Sequence, residues 1–414
     1  MNIYFKPILL CSIIIFLLSC QNLGNSQQAK PTFTPTNQNS VSQSSTSSPF
    51  LEITSQILVL HENTVGNSFT DTVVDMGWLL DGRIYYGIGD PTLYNLNLVN
   101  KPAEINWYSY DSQNKLGRQI DNPYGLFAND FVSSMAQNRV ELLSMTVSPS
   151  KAKAIYTRLP IGYLRPTPLP HHYFDPSEIW VATNDLQETS PLLGQPANWY
   201  DCGIGLSNAS SWFYDETLAI GSCQFNYGIT GVYFIADLIE RSFQFLNFTL
   251  PSGEYIPTEQ IAIAHSNPSL AFSASGLWVV PAELNERKIN TELTNLNLIF
   301  NDRPAVAPMW SFDDKWIYYW TFDPLSKIDE DAPIENHYWW LERIDPATKQ
   351  QEIVLSVDDL ISVVGIERYR LSTPFGLGNP WKISPDGEQL LLFLSETFDS
   401  PATLFLFSWQ QQVR

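Results

Sequence analysis

Short runs of aromatic and aliphatic residues, each interrupted by a polar corner, form the dominant pattern along the chain. The clearest example is Asp313-Asp314-Lys315, which separates two aromatic-rich runs at 309–312 and 316–320. A helix would bury these charges, whereas a hairpin places them at the exposed corner between two strands. The pattern therefore predicts a β-hairpin with both acids facing water and its aromatic side chains packed between sheets.

The same pattern occurs six times. The corners lie at positions 81, 150, 215, 267, 313 and 386, between 46 and 73 residues apart. A second apolar strand follows each corner, and five of the six copies continue into a further short β-like run, with no convincing helical stretch between copies. A small four-stranded sheet with two apolar faces is stable only when neighbouring sheets cover both faces. The spacing therefore predicts an all-β fold, a six-bladed β-propeller of four-stranded antiparallel blades, and it also allows seven blades.

Two of the six copies carry a family resemblance. Residues 379–393, with the corner Ser384-Pro385-Asp386-Gly387, and residues 308–319 resemble the WD40-like repeats of the periplasmic protein TolB and its relatives. The other four copies match loosely, and three of their corners lack both Pro-Asp and Asp-Gly. The resemblance implies blade architecture over most of residues 70–412 and is silent about the ligand. Residues 50–61 alternate like a strand and are predicted to close the ring by pairing with the last blade.

The N-terminus has the features of a targeting segment. Lys6 precedes an apolar stretch at 7–18, which is too short to span a bilayer. The stretch ends in Leu17-Leu18-Ser19-Cys20, which resembles the bacterial lipobox. That resemblance implies a lipoprotein signal peptide at 1–19 and an acylated, palmitate-bearing Cys20. The alternatives are an ordinary signal peptide or an N-terminal anchor with a chance cysteine.

A polar segment follows the lipobox. Residues 21–49 hold 24 Ser, Thr, Asn, Gln, Pro or Gly among 29 positions, a composition that cannot bury enough apolar surface to fold. The chain is therefore predicted to contain a lipidated, disordered linker at 20–49 and a propeller domain at 50–414. The expected location is the cell envelope, outside the cytoplasm. Because Gln21 is not the Asp associated with inner-membrane retention, the outer membrane is favoured in a Gram-negative host.

Charge and cysteine content argue against nucleic-acid binding and against a redox or zinc-binding role. The net charge of −20 repels phosphate backbones, which disfavours nucleic-acid binding. After removal of Cys11 with the signal peptide and lipidation of Cys20, only Cys202 and Cys223 remain. In an oxidising compartment these two are predicted to form a disulfide, and the alternative is a pair of free buried thiols. No Cys-x-x-Cys motif supports a redox or zinc role.

The sequence contains no recognised motif for catalysis, for a cofactor or for a metal. No nucleophile elbow, P-loop, H-E-x-x-H or dinucleotide motif occurs, so we predict no catalytic residue, cofactor or metal. The acidic segment 323–335 lacks EF-hand spacing and is interpreted as a solvated loop. The adjacent His171 and His172 are interpreted as hydrogen-bonding rather than metal-binding groups.

The remaining candidate is a stiff aromatic loop at 160–176 with five prolines, suited to recognition of protein or glycan. Its candidate binding residues are Tyr163, His171, His172, Tyr173, Phe174 and Asp175. The sequence thus predicts a membrane-anchored scaffold that binds a protein or an envelope polymer. The alternatives are a glycan-active hydrolase or lyase with carboxylates in the channel mouth, and a purely structural envelope component.

Overall fold

Antiparallel strands account for most of the chain that the structure describes. The computed structural model describes residues 51–58, 72–79, 81–89, 106–111, 116–123, 138, 142–150, 152–160, 162–163, 178–183, 190–192, 199–203, 212–225, 229–256, 260–274, 276–327, 337–366, 381–394 and 403–411. The predicted signal peptide, Cys20 and the linker lie outside these residues.

In chain order, the strands of the first half are β1 (Leu51–Leu58), β2 (Thr72–Trp78), β3 (Ile84–Gly89), β4 (Asn106–Asp111), β5 (Leu116–Gln119), β6 (Leu142–Val147), β7 (Lys153–Arg158), β8 (Glu178–Thr183), β9 (Ser190–Pro191), β10 (Trp199–Gly203), β11 (Leu218–Phe225), β12 (Ile229–Asp237) and β13 (Ser242–Phe245). Those of the second half are β14 (Gln260–Ile263), β15 (Ser269–Ser273), β16 (Leu277–Glu283), β17 (Lys288–Ile289), β18 (Leu298–Phe300), β19 (Ala305–Trp310), β20 (Ile317–Lys327), β21 (His337–Ile344), β22 (Gln351–Leu355), β23 (Trp381–Ile383), β24 (Gln389–Leu394) and β25 (Thr403–Gln411).

These strands form six four-stranded antiparallel sheets arranged as a six-bladed β-propeller. Blades 1 to 5 are consecutive meanders, β2–β5, β6–β9, β10–β13, β14–β17 and β19–β22, and β18 adds a further pairing with β16 in blade 4. Blade 6 combines β23, β24 and β25 with β1, which pairs with β25 from Leu51↔Gln411 to Leu58↔Leu404. The predicted fold and the predicted closing strand are both confirmed.

The segment that contains Asp313 and Asp314 shows how a blade uses its two apolar faces. In β20, Tyr318 and Trp320 are fully buried among residues of blade 6 that include Trp381 and Phe405. The alternate residue Tyr319 is buried on the other face, among residues of blade 4 that include Phe300. Because successive side chains of a strand point to opposite sheet faces, one aromatic run serves two inter-blade contacts.

Similar clusters join other neighbouring blades. Ile155 and Val181 of blade 2 pack with Phe234 of blade 3. Phe248, which follows β13 of blade 3, stacks on Phe272 of blade 4 with ring centroids 4.2 Å apart. Leu391 of blade 6 belongs to one cluster with residues of blade 1. The hydrophobic core is thus a series of layers between blades.

Four of the six corners between the first and second strands share one turn geometry. They place Asp at the third position, namely Asp81, Asp215, Asp313 and Asp386, and each Asp accepts a hydrogen bond from the backbone N–H two residues later. The next residue has a positive φ in each case: 81° at Gly82, 54° at Glu216, 56° at Asp314 and 72° at Gly387. Asp and Gly are suited to these positions because Asp bonds to the local backbone and Gly adopts φ > 0 without strain.

Asp314 does not face water, which corrects one of our expectations. Asp313 is exposed, but Asp314 is only 9% exposed, because its carboxylate reaches the corner of blade 4. There it accepts hydrogen bonds from the backbone N–H groups of His265 (2.6 Å), Ser266 (2.6 Å) and Asn267 (2.9 Å) and from the Ser266 hydroxyl (2.6 Å). We call this contact the Asp314 latch.

A second latch joins blades 2 and 3. Glu216, at the same corner position as Asp314, accepts hydrogen bonds from the backbone N–H and the hydroxyl of Ser150, both at 2.5 Å. Lys153 of blade 2 also donates to the backbone oxygen of Glu216 at 3.0 Å. An acid at the fourth corner position thus ties two pairs of blades together.

One helix departs from the sequence prediction, which found no convincing helical stretch. Helix α1 (Val357–Val364) begins after Ser356, whose side chain accepts from the N–H of Asp359, while the Asp359 carboxylate accepts from the N–H of Ser356 at 2.8 Å. This capping box starts the helix, and Leu360 and Val364 pack into the cluster between blades 5 and 6. The helices in the described part of the chain are too short or too polar to cross a membrane.

The two adjacent acids provide a test of the latch. We expect Asp314→Asn to lower the free energy of unfolding by about 2–4 kcal/mol, because an amide group would face donors that now bind a carboxylate. Asp313→Asn keeps the Oδ1 acceptor of the turn and should change stability by about 0.5 kcal/mol or less. Urea unfolding of the two variants measures the difference. Equal losses would contradict the latch.

Candidate functional site

The sequence-predicted binding loop lies mostly outside the described residues. Tyr163 is half-buried, and its backbone N–H donates to the Pro160 oxygen at 3.0 Å, in a tight turn. The other candidates, His171, His172, Tyr173, Phe174 and Asp175, lie outside the described residues. Their role in binding stays a prediction.

A groove opens between the first corners of blades 5 and 6. It encloses about 400 Å³, within the roughly 300–1,000 Å³ range of small-molecule sites. We call it the blade 5/6 groove. It is lined by Ser311, Asp313, Lys315, Trp316, Tyr318, Arg343, Pro385, Asp386, Gly387, Glu388 and Trp409.

The groove exists where a latch is missing. At the fourth corner position of blade 6 the chain has Gly387, whereas the equivalent residues of blades 3 and 5 are the acids Glu216 and Asp314. Gly387 has no side chain to reach blade 5, and instead its backbone oxygen accepts a hydrogen bond from the Tyr318 hydroxyl at 3.1 Å. A Cβ atom at Gly387 would lie 3.3 Å from that hydroxyl oxygen. The two corners are therefore bridged at one point and separated beside it.

Aromatic side chains form one wall of the groove. Trp316 is half-buried, while Tyr318 and Trp409 are buried, with their ring centroids 6.3 Å apart. Burial raises the pKa of the Tyr318 hydroxyl, so it stays protonated at neutral pH and remains the donor to Gly387. The indole N–H of Trp409 is buried and has no hydrogen-bond partner among the described residues.

A buried ion pair supports this wall. The guanidinium of Arg343 donates to Glu352 Oε2 from Nε at 2.8 Å and from Nη2 at 2.6 Å. It also lies 4.4 Å from the centroid of the Trp316 ring. Since Glu352 neutralises Arg343, this cation stiffens the wall and adds little net charge to the groove.

Carboxylates form the rim. Oδ1 of Asp313 accepts from the Ser311 hydroxyl at 2.6 Å, and Oδ1 of Asp386 accepts from the Ser384 hydroxyl in the same arrangement. Burial alone would raise the pKa of Asp313, but hydrogen bonds from Ser311 and the Lys315 backbone outweigh it and hold the pKa below its usual value. Asp313 is therefore ionised at neutral pH. Both aspartates are fixed by their own turns, which reduces the entropy lost when a ligand binds.

The buried carboxylates in the described part of blades 5 and 6 accept hydrogen bonds from other side chains of the protein. Glu342 accepts from Tyr319, Trp340 and Arg303, each at 2.7 Å, and Glu352 is paired with Arg343 as described above. Burial raises the pKa of the Tyr319 hydroxyl as well, which keeps it a donor to Glu342. Among the residues that the structure describes, no group of three His, Cys, Asp or Glu side chains is placed to hold a metal ion.

Sequence reasoning did not find the groove. Its residues come from two neighbouring corners, and they were interpreted as turn residues only. A usable signal was present, because Ser-x-Asp occurs in both corners while the fourth position changes from Asp314 to Gly387. Glycine also occupies the fourth position in blade 1, at Gly82, so the residue type alone does not mark the groove, which depends on which blades are neighbours.

Comparison with known proteins identifies no family for this chain. No protein-family model matches it, and no curated protein matches it. Similar solved structures include an oligogalacturonate lyase from Vibrio parahaemolyticus, with 9% identity, a TM-score of 0.44, and coverage of 83% of this chain and 79% of that one.

A TolB-like protein from Agrobacterium tumefaciens has 10% identity and a TM-score of 0.36, with coverage of 87% of this chain and 99% of that one. A prolyl endopeptidase structure has 13% identity and a TM-score of 0.37, with coverage of 79% of this chain and 40% of that one. Likeness at this level transfers neither an activity nor a ligand, so the functional argument depends on the site itself.

Proposed function

We propose that this chain is a lipid-anchored, extracytoplasmic scaffold that binds a protein or an envelope polymer through the blade 5/6 groove. One observation carries the proposal: a groove of about 400 Å³ in which aromatic side chains and turn-fixed carboxylates face the same space. Rigid polar groups beside apolar surface are typical of binding sites. The buried carboxylates nearby are held by structural donors, which favours binding over catalysis there. No contact among the described residues favours the glycan-active alternative.

Position-specific cross-linking tests this proposal. A photoreactive phenylalanine analogue would replace Glu388 or Lys315, both exposed in the groove lining, or, as controls, the exposed Ile353 and Ile239. We expect both groove positions to give the same covalent adduct in intact cells and the controls to give none. No adduct from the groove, or the same adduct from all four positions, would contradict the proposal.

A matched variant closes the groove. Gly387→Asp introduces the acid that the equivalent corners of blades 3 and 5 carry, and Asp314 shows that the positive φ of this position accepts Asp. We expect this variant to lose the groove adduct while the chain remains folded. Persistence of the adduct at full yield would show that the groove is not the binding site.

The lipid anchor is a proposal based on the resemblance of Leu17-Leu18-Ser19-Cys20 to a lipobox. We expect Cys20→Ser to abolish incorporation of labelled palmitate, because the acylated sulfur is removed. Cys11→Ser is the matched control and should incorporate label as the parent chain does. Label retained in the Cys20→Ser variant would contradict the anchor.

We also propose that Cys202 and Cys223 form a disulfide. They lie on the paired strands β10 and β11. Gly203 pairs with Ser222, and Cys202 and Cys223 are the next residues along the two strands, where a β-bulge shifts the register. Directly opposed residues of antiparallel strands have Cα atoms about 4.5–5.5 Å apart, which a disulfide can span.

Mass spectrometry after alkylation without reduction tests the pairing. We expect neither cysteine to be alkylated in the exported protein, and the Cys202→Ser, Cys223→Ser double variant to lose about 3 kcal/mol of stability because a 21-residue separation is no longer closed. Complete alkylation of both cysteines in the parent chain would overturn the proposal.

A further inference from the structure

We infer that the occupant of the blade 5/6 groove is a basic peptide segment, whose arginine or lysine side chain lies between the corner carboxylates. This inference rests on the proposed function and assigns its ligand class. It follows from the charge of the rim, from the nature of the wall and from one buried donor.

The charge of the rim selects a cation. Asp313, Asp386 and Glu388 contribute three carboxylates, and the cations are Lys315 and Arg343, of which Arg343 is already neutralised by Glu352. Each aspartate uses Oδ1 for its turn, so Oδ2 is the oxygen left for a ligand. Two fixed carboxylates on adjacent corners suit a guanidinium or ammonium group and repel an acidic polymer.

The aromatic wall already accommodates cations of the chain itself. The Lys315 ammonium lies 5.3 Å from the centroid of the Trp316 ring, and it makes no ion pair among the described residues. A ring face within about 6 Å of a cation attracts it. In the free protein, Lys315 therefore takes up part of the space that a ligand cation would use, and it is attracted by the same ring and carboxylates. It acts as a weak internal competitor.

The buried indole of Trp409 points to a peptide rather than a simple amine. Trp409 is 2% exposed, lines the groove, and its N–H has no hydrogen-bond partner among the described residues. A buried donor without a partner costs about 1–3 kcal/mol. This N–H is closed to solvent in the free protein, so a ligand acceptor reaches it only when the Trp409 ring turns toward the groove. A peptide carries a main-chain carbonyl for that role beside its basic side chain, whereas an alkylamine has none.

Calorimetric titration of the full chain in detergent tests the ligand class. The probes are acetyl-Gly-Arg-Gly-amide, the same peptide with citrulline in place of arginine, and butylguanidinium. Citrulline has the shape of arginine without its charge. We expect the arginine peptide to bind, with an affinity that falls as salt is added, and the citrulline peptide and butylguanidinium to bind at least tenfold more weakly. If the arginine and citrulline peptides bind equally, the claim that the groove selects a cation is wrong. If butylguanidinium binds as tightly as the arginine peptide, the claim that the ligand is a peptide is wrong.

Variants locate the binding to the groove. Asp313→Asn with Asp386→Asn keeps the Oδ1 acceptors of both turns and removes two charges, so we expect at least a tenfold loss of affinity for the arginine peptide. Asp215→Asn is the matched control, since it makes the same change in the corner of blade 3, outside the groove lining. Lys315→Met should strengthen binding severalfold by removing the competitor. An unchanged affinity in the double variant would overturn the inference.

The two proposals fail in distinguishable ways. A shared adduct from positions 315 and 388, together with no affinity for the arginine peptide, would leave the groove as a binding site and reject the basic peptide as its occupant. Absence of that adduct in cells would reject the proposed function itself, whatever the peptide does in the calorimeter.

Discussion

The fold depends on one constraint: every four-stranded sheet in this chain has two apolar faces and can exclude water from them only with a neighbour on each side. The buried aromatic side chains of β20 point alternately to blade 4 and to blade 6, so no blade has a core of its own. A row of such sheets would leave two faces open at its ends. Pairing with β25 makes β1 part of the last blade, and residues of that blade pack against blade 1, so the two ends of the row cover each other.

Polar contacts fix how neighbouring blades are aligned within this apolar packing. The latches at Asp314 and Glu216 fix one corner against the preceding one through charge-assisted hydrogen bonds, which are directional where hydrophobic contacts are not. The groove lies at a pair of corners that has no such latch. Blade 6 has Gly387 at the latch position, and the Oδ2 atoms of the turn aspartates Asp313 and Asp386 are left for another partner. The groove and the latches therefore use the same repeated turn, with a different residue at its fourth position.

The sequence predicted the blades and the closing strand, because alternation and turn residues are local signals that recur. The prediction that Asp314 faces water was wrong, because the burial of this residue depends on the corner of another blade, 47 to 49 residues away. Sequence reasoning missed helix α1, whose capping box at Ser356 and Asp359 was present but lay next to a strand. The groove could not be predicted from one corner, because it is the space between two. The loop candidates from His171 to Asp175 stay predictions.

Amide hydrogen exchange of the closing strand tests the central claim most directly. If ring closure holds the blades together, the amides of 51–58 that bond to β25 should exchange slowly, at the same rate as those of 403–411, in one cooperative opening. Rapid exchange across 51–58, with 403–411 still protected, would show that the ring does not depend on this strand and would contradict the account.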